Sequence, residues 1–178
     1  MINKSLIFVI SFFIFCNSAF ANTFIFKTKN IEISKEKNQI LAGKGKVFSS
    51  DNDLEINADK FEYLKDQNLL KSNGNGEALI KSKNLVIKFD NAIFNQNELT
   101  IEAIGNIKIN HTDKKFFILT EKIFYDQSNS LINSNSKTIL KDSFGNTYGV
   151  DNFKFEIDKS LLKVVNLESK DKNNNIVK

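Results

Sequence analysis

A period of about 31 residues governs this chain and leaves it little freedom of fold. The aromatics Tyr63, Phe94, Tyr125 and Phe155 stand 31, 31 and 30 residues apart. Gly43, Gly74 and Gly105 are spaced 31 and 31, with Ser136 at the next step, and Leu69, Leu99, Leu131 and Leu161 follow at 30, 32 and 30. A polar turn separates aromatic from leucine each time: LKDQN, NQNE, DQSNS and DKS. Self-similarity of this kind marks a stack of like units, each unable to bury its apolar face alone.

Each unit reads as two strands. Apolar and polar residues alternate in Leu54–Ala58, Leu85–Phe89, Ile107–Ile109 and Phe153–Ile157, and period two means a half-buried strand. No stretch sustains a 3.6-residue period. The fold class is therefore all-β, with about ten antiparallel strands near 24–33, 40–49, 54–63, 69–80, 85–94, 99–110, 116–125, 131–140, 147–157 and 161–167. Turns such as Asp51-Asn-Asp53, Asp66-Gln-Asn68 and Asn95-Gln-Asn97 use side chains that bond their own backbone and tolerate left-handed geometry. This explains how a chain with 25 asparagines and no proline turns so often.

One irregularity recurs. After Ala58, Phe89, Thr120 and Val150 the apolar set jumps three positions, to Phe61, Ala92, Ile123 and Phe153. A one-residue slip sends side chains to the opposite face, so each unit needs a bend there. A bend repeated at one place curls the stack into an open β-jelly roll, solenoid-like, with an apolar interior and a lysine-rich outside.

The N-terminus reads as an address. Lys4 precedes the apolar run Leu6–Phe15, and Ala19-Phe20-Ala21 offers small residues where a signal peptidase reads. Residues 1–21 are expected to be a secretory signal peptide and 22–178 a single domain. The alternative is an uncleaved anchor, although a run of about ten residues is short for a bilayer-spanning helix. Cleavage would remove Cys16, the one cysteine, leaving a thiol-free exported domain held by its core and hydrogen bonds.

The interior reads either as a packed core or as a lipid-sized slot. Ile56, Ile87, Phe89, Ile101, Ile107, Ile109, Ile118 and Phe155 are its expected lining. The two ends read as uncapped edges, carried by Phe24, Phe26, Ile31 and Ile33 at one end and Leu162 and Val164 at the other. An open strand edge accepts another strand, so pairing with like-built partners is expected.

Catalytic patterns are missing. The chain has no arginine for bidentate anion recognition. His111, in Asn110-His-Thr-Asp113, reads as a solvated turn histidine and has no second histidine with which to build a zinc site. Gly43-Lys-Gly45 and Gly74-Asn-Gly76 open no helix and read as bends, not phosphate loops. Glu55, Asp59, Glu62, Glu121 and Glu156 read as a solvated face. No enzyme activity, cofactor or metal is expected, and a scattered net charge of +4 does not argue for nucleic acid.

These residues resemble a known family. Ile56-Asn-Ala58-Asp59 with Phe61-Glu-Tyr63, then a turn, a leucine, and Gly74-Asn75 or Gly105-Asn106-Ile107, are similar to the periplasmic lipopolysaccharide-transport β-jelly-roll family, the organic-solvent-tolerance-like domain. The resemblance covers about residues 24 to 170. It implies periplasmic carriage of lipopolysaccharide toward the outer membrane of a Gram-negative bacterium, by rolls stacked head to tail with acyl chains in the slot. It also implies, as partners, lipopolysaccharide, the other jelly-roll components of the bridge, and the outer-membrane translocon. The soluble bridge protein and the N-terminal domain of that translocon, with its barrel later in the same chain, both fit. The competing class is a secreted structural β-solenoid, a scaffold or adhesin with a packed core and no lipid ligand.

Overall fold

Strand-forming alternation runs through nearly all the chain that the computed structural model describes, residues 24–113, 116–170 and 176–177. The leader expected over 1–21 lies outside these residues. The strands are β1 (Ile25–Thr28), β2 (Ile31–Ser34), β3 (Gln39–Ala42), β4 (Gly45–Phe48), β5 (Leu54–Ala58), β6 (Lys60–Leu64), β7 (Leu69–Ile80), β8 (Leu85–Asn95) and β9 (Thr100–His111). They continue as β10 (Phe116–Asp126), β11 (Leu131–Ser134), β12 (Thr138–Lys141), β13 (Thr147–Val150), β14 (Asn152–Glu156), β15 (Leu161–Val165), β16 (Glu168–Lys170) and β17 (Ile176–Val177). Every pairing among them is antiparallel.

The sheet is folded along a corner into two leaves. Leaf A runs β1, β4, β5, the second half of β7, the first half of β8, the second half of β9, the first half of β10, then β12, β13, β16 and β17. Leaf B runs β2, β3, β6, the remaining halves of β7 to β10, then β11, β14 and β15. The central four strands pass the corner with a register shift, at Asn73/Gly76, Lys88/Asn91 and Thr120/Lys122. Five of the other expected strands break there into two pieces each, the last is β15, and β16 and β17 lie beyond the expected ranges, so the ten read from sequence become seventeen among the described residues.

The corner has its own chemistry. Asn75, Asn106 and Asn166 adopt positive φ of 47°, 48° and 55°. Each donates from Nδ2 to a corner carboxylate: Asn75 to Asp59 at 2.6 Å, Asn106 to Asp90 at 2.8 Å, Asn166 to Asp151 at 2.7 Å. Gly74 and Gly105, at φ +77° and +84°, take the position just before the first two. Asparagine suits this place because it enters the left-handed region and bonds locally. Where Ser136 replaces the repeating glycine, the corner changes. There Thr120, Ser134 and Thr138 bury a hydroxyl cluster, with Ser134 donating to the Lys122 carbonyl at 2.7 Å.

Two rows of inward side chains face each other between the leaves. On leaf A the row is Phe26, Val47, Ile56, Ala78, Ile87, Ile109, Ile118, Leu140 and Tyr148. On leaf B it is Ile33, Ile40, Tyr63, Leu70, Phe94, Ile101, Tyr125, Ile132, Phe155 and Leu162. The four aromatics that define the sequence period all lie in this second row. Phe26 against Phe61 (6.5 Å), Phe89 against Phe94 (6.1 Å) and Phe116 against Phe155 (4.8 Å) join the leaves through the interior. Tilted and edge-on rings at such distances add about 0.5–1.5 kcal/mol to simple burial.

His111 corrects the sequence reading. It is not a solvated turn residue but the last residue of β9, 4% exposed, with its ring 5.3 Å from that of Phe116. The pairing of β9 with β10 runs to Phe116 opposite His111, one residue further than Asn110, where the expected strand ended, and the inward phase of the strand carries the ring into the core.

Candidate functional site

The interior is packed over most of its length and opens toward the C-terminal end. There an apolar groove of about 500 Å3 lies between β10, β12 and β13 on one side and β14 and β15 on the other. Its walls include Phe116, Ile118, Leu140, Tyr148, Phe155, Leu162 and Val164. Each wall is supplied by strand alternation: Ile118 and Leu140 are register partners on leaf A, Phe155 and Leu162 on leaf B. Phe116 and Phe155 still touch across the leaves, and beside that contact the inward residues of the last strands border open space.

One side of the mouth is braced. Asp142 accepts hydrogen bonds from the backbone N–H of Phe144 (2.9 Å) and Asn146 (3.0 Å), from Asn146 Nδ2 (2.8 Å) and from the Tyr148 hydroxyl (2.9 Å). Bonding to the Asp142 carboxylate pushes the Tyr148 phenol up. The turn so fixed carries Phe144, 80% exposed, two residues after Asp142 of the groove wall. Sequence periodicity did not single out Phe144, because it lies in a turn and outside the repeat.

The expected lining residues divide. Ile118 and Phe155 border the groove. Ile101 lies at the base of a separate cleft of about 220 Å3. Ile56, Ile87, Phe89, Ile107 and Ile109 are all buried, Phe89 the most exposed of them at 3%, in the packed part of the core. Leu140, Tyr148 and Phe116 complete the groove but were not singled out. Their alternation was visible in the sequence, whereas the gap beside them was not.

The expected edge residues also divide. β1, β2 and β15 each pair on one side only among the described residues. Phe26 lies in β1, Ile31 and Ile33 in β2, Leu162 and Val164 in β15. Ile31, Ile33 and Leu162 are 49%, 58% and 41% exposed although their register places them on the inward face. Phe24 stands apart. It precedes β1, is buried, and meets Tyr63 edge-on at 5.4 Å, so its ring serves the core.

Elsewhere the surface is polar. A concavity of about 900 Å3 lies over the outer face of leaf A, its walls mixing Lys108 and Lys137 with Glu121, Asp151 and Glu168. Exposed ion pairs tie neighbouring strands, among them Lys46–Glu55 at 2.6 Å and Lys88–Glu77 at 3.0 Å. No group of three or more metal-ligating side chains occurs among the described residues.

The family described as OstA-like protein matches residues 53–159, more than half of the chain. Among solved structures, the fold is similar to the crystal structure of LptH, the LptA-homologous periplasmic component of the conserved lipopolysaccharide transport device from Pseudomonas aeruginosa. That likeness has a TM-score of 0.57 at 10% identity and covers 62% of this chain and 80% of LptH. No curated protein matches.

Proposed function

Because this chain belongs to the OstA-like protein family, we propose that it is a periplasmic lipid-transport module that shields lipopolysaccharide acyl chains on their way to the outer membrane. The observation that carries this reading is the apolar groove at the C-terminal mouth, together with a leaf B row that runs from exposed Ile33 to exposed Leu162. Each methylene moved from water into such a surface gains about 0.8 kcal/mol. Sugars and phosphates stay in solvent beside the lysine-bearing outer strands. No bond is made or broken, so net direction comes from an energy source elsewhere.

In this reading residues 1–21 direct export and are removed, and 22–178 form the working roll. The edges β1, β2 and β15 accept the strands of like-folded bridge components or of the outer-membrane translocon. Backbone pairing at such an edge supplies affinity, and the flanking side chains supply the choice of partner. Inward residues left exposed at both edges would be covered by the neighbour's own inward row, giving one apolar track across the junction. The packed middle of the core favours the rival reading, a structural β-solenoid without ligand; the groove favours transport.

The test is to express the full chain in a Gram-negative host with a photoreactive residue at Leu162 or Val164, irradiate, and probe for attached lipopolysaccharide. Crosslinks at these positions and none at outward-facing Lys154 are expected. Absence of lipopolysaccharide at every groove position would leave the structural solenoid as the better account.

A further inference from the structure

The two leaves are joined covalently along the corner, where every strand passes from one to the other. On the opposite side they meet as two rims of turns. Each rim is bonded within itself. On leaf A, Lys81 N–H donates to the Asp53 carbonyl and Thr112 N–H to the Asn84 carbonyl, both at 3.0 Å. On leaf B the same ladder runs from Lys65 to Asn38, Gln96 to Asn68, Gln127 to Leu99 and Ile157 to Ser130, at 2.9–3.1 Å. Among the described residues a single ion pair joins the rims: Lys83 Nζ lies 2.6 Å from Asp158 Oδ1.

This pair stands between two openings. On one side is a cleft of about 220 Å3, walled by Asp53, Ser82 and Lys83 from one rim and Gln96, Gln127 and Ser128 from the other, with Ile101 and Tyr125 at its base. Burial, reinforced by Asp53, Asp158 and Asp126, pushes the Tyr125 phenol up. On the other side is the apolar groove, bordered by Ser160 from the same turn as Asp158.

We propose that Lys83–Asp158 is a latch on a lateral seam, and that acyl chains reach the interior sideways through this seam as well as from the ends. The inference rests on the lipid-shielding function proposed above. The corner cannot part without breaking the chain, so an opening motion separates the rims. The latch is weak by construction: the two side chains are 25% and 62% exposed, and exposed ion pairs contribute little and are screened by salt. Parting it merges cleft and groove, and places Ile101 and Tyr125 in one continuous apolar opening with Ile118 and Phe155.

Two measurements in a Cys16→Ser background decide the matter. Spin labels at Thr112→Cys and Ser128→Cys report the distance between opposite rims. Lys83→Gln, or about 1 M salt, should raise the wide-distance population about two- to fivefold; an unchanged distribution overturns the latch whatever the ligand. Separately, Lys83→Cys/Asp158→Cys joined by a short bis-maleimide should take up purified lipopolysaccharide about tenfold more slowly than the same variant capped with N-ethylmaleimide. Equal rates overturn the lateral route. If the unmodified chain takes up no lipopolysaccharide, the shielding function fails and the route with it, while the spin-label distances still decide the latch.

Discussion

Asn106 donates from Nδ2 to Oδ2 of Asp90 at 2.8 Å, and both residues sit where the sheet turns from one leaf to the other. One repeat earlier Asn75 does the same to Asp59. In each case the asparagine holds a left-handed backbone and the carboxylate comes from the neighbouring corner, so one contact fixes both the bend and its alignment with the next. Replacing Asn106 by alanine removes the bond and leaves a Cβ in that region. We expect a loss of about 1–2 kcal/mol in urea unfolding. Asn106→Gly should lose less, because glycine accepts the backbone angle and only the hydrogen bond is missing.

Gly76 faces the ring of Phe89, and a Cβ built on it would lie 2.0 Å from Phe89 Cε2. Gly76→Ala should cost about 1–3 kcal/mol by overpacking. Phe89→Leu opens the space the new methyl needs. The double variant should therefore be more stable than the sum of the two single losses predicts, and a double-mutant cycle reads that coupling. Strict additivity would mean the ring moves aside freely.

Ser72 is fully buried, and its Oγ has no hydrogen-bond partner. It lies in an inward row between Phe61 and Ala92. Ser72→Ala removes an unsatisfied hydroxyl at almost constant shape, so stability should stay level or rise by about 1 kcal/mol. A loss beyond about 1 kcal/mol in thermal or urea unfolding would show that the hydroxyl has a partner, such as a buried water.

The Asp59 carboxyl is held below its ordinary value, first by the Asn75 hydrogen bond and then by Lys44, 3.2 Å away. Its folded pKa is thus lower than its unfolded one. The stabilisation is fully present above the unfolded value and is lost as pH falls through the folded value. Asn75→Ala should move the Asp59 titration measured by NMR up toward 3.8. It should also flatten the acid limb of the stability profile, leaving neutral-pH titrations elsewhere unmoved.

Leu162 and Val164 lie on the inward face of edge strand β15 and line the groove. Leu162→Lys and Val164→Lys place charge in an apolar site that is still open to solvent. Folding stability should change by less than about 1 kcal/mol. Capture of lipopolysaccharide from detergent, read by mass spectrometry of the purified complex, should fall at least about tenfold, since a buried unpaired ammonium opposes an acyl chain.

Much of the architecture was legible because period two and period 31 are both local facts. Tyr63, Phe94, Tyr125 and Phe155 recur at the unit length, and the register places all four in one inward row. The three-residue jump after Ala58, Phe89, Thr120 and Val150 identified the corner, since a slipped phase has no other resolution in a strand. Even the departure of the fourth unit was written in Ser136. His111 was misread because its flanking residues are turn-formers, and the side on which strand pairing ends is not a property of those neighbours.

What the sequence by itself determined is which residues alternate, where the chain bends and which faces are apolar, for these follow from spacing along one strand. Whether the facing rows touch or stand apart depends on the divergence of two leaves whose strands are far apart in sequence. Ile87 and Ile118 carry the same side chain in the same inward row, yet one is sealed in the core and the other borders a groove of about 500 Å3. Likewise nothing in the order of residues sets Lys83 against Asp158, 75 positions later. Only the closure of the roll brings those two rims within reach, because a side chain's partner across a sheet sandwich is chosen by distance in space and not by distance along the chain.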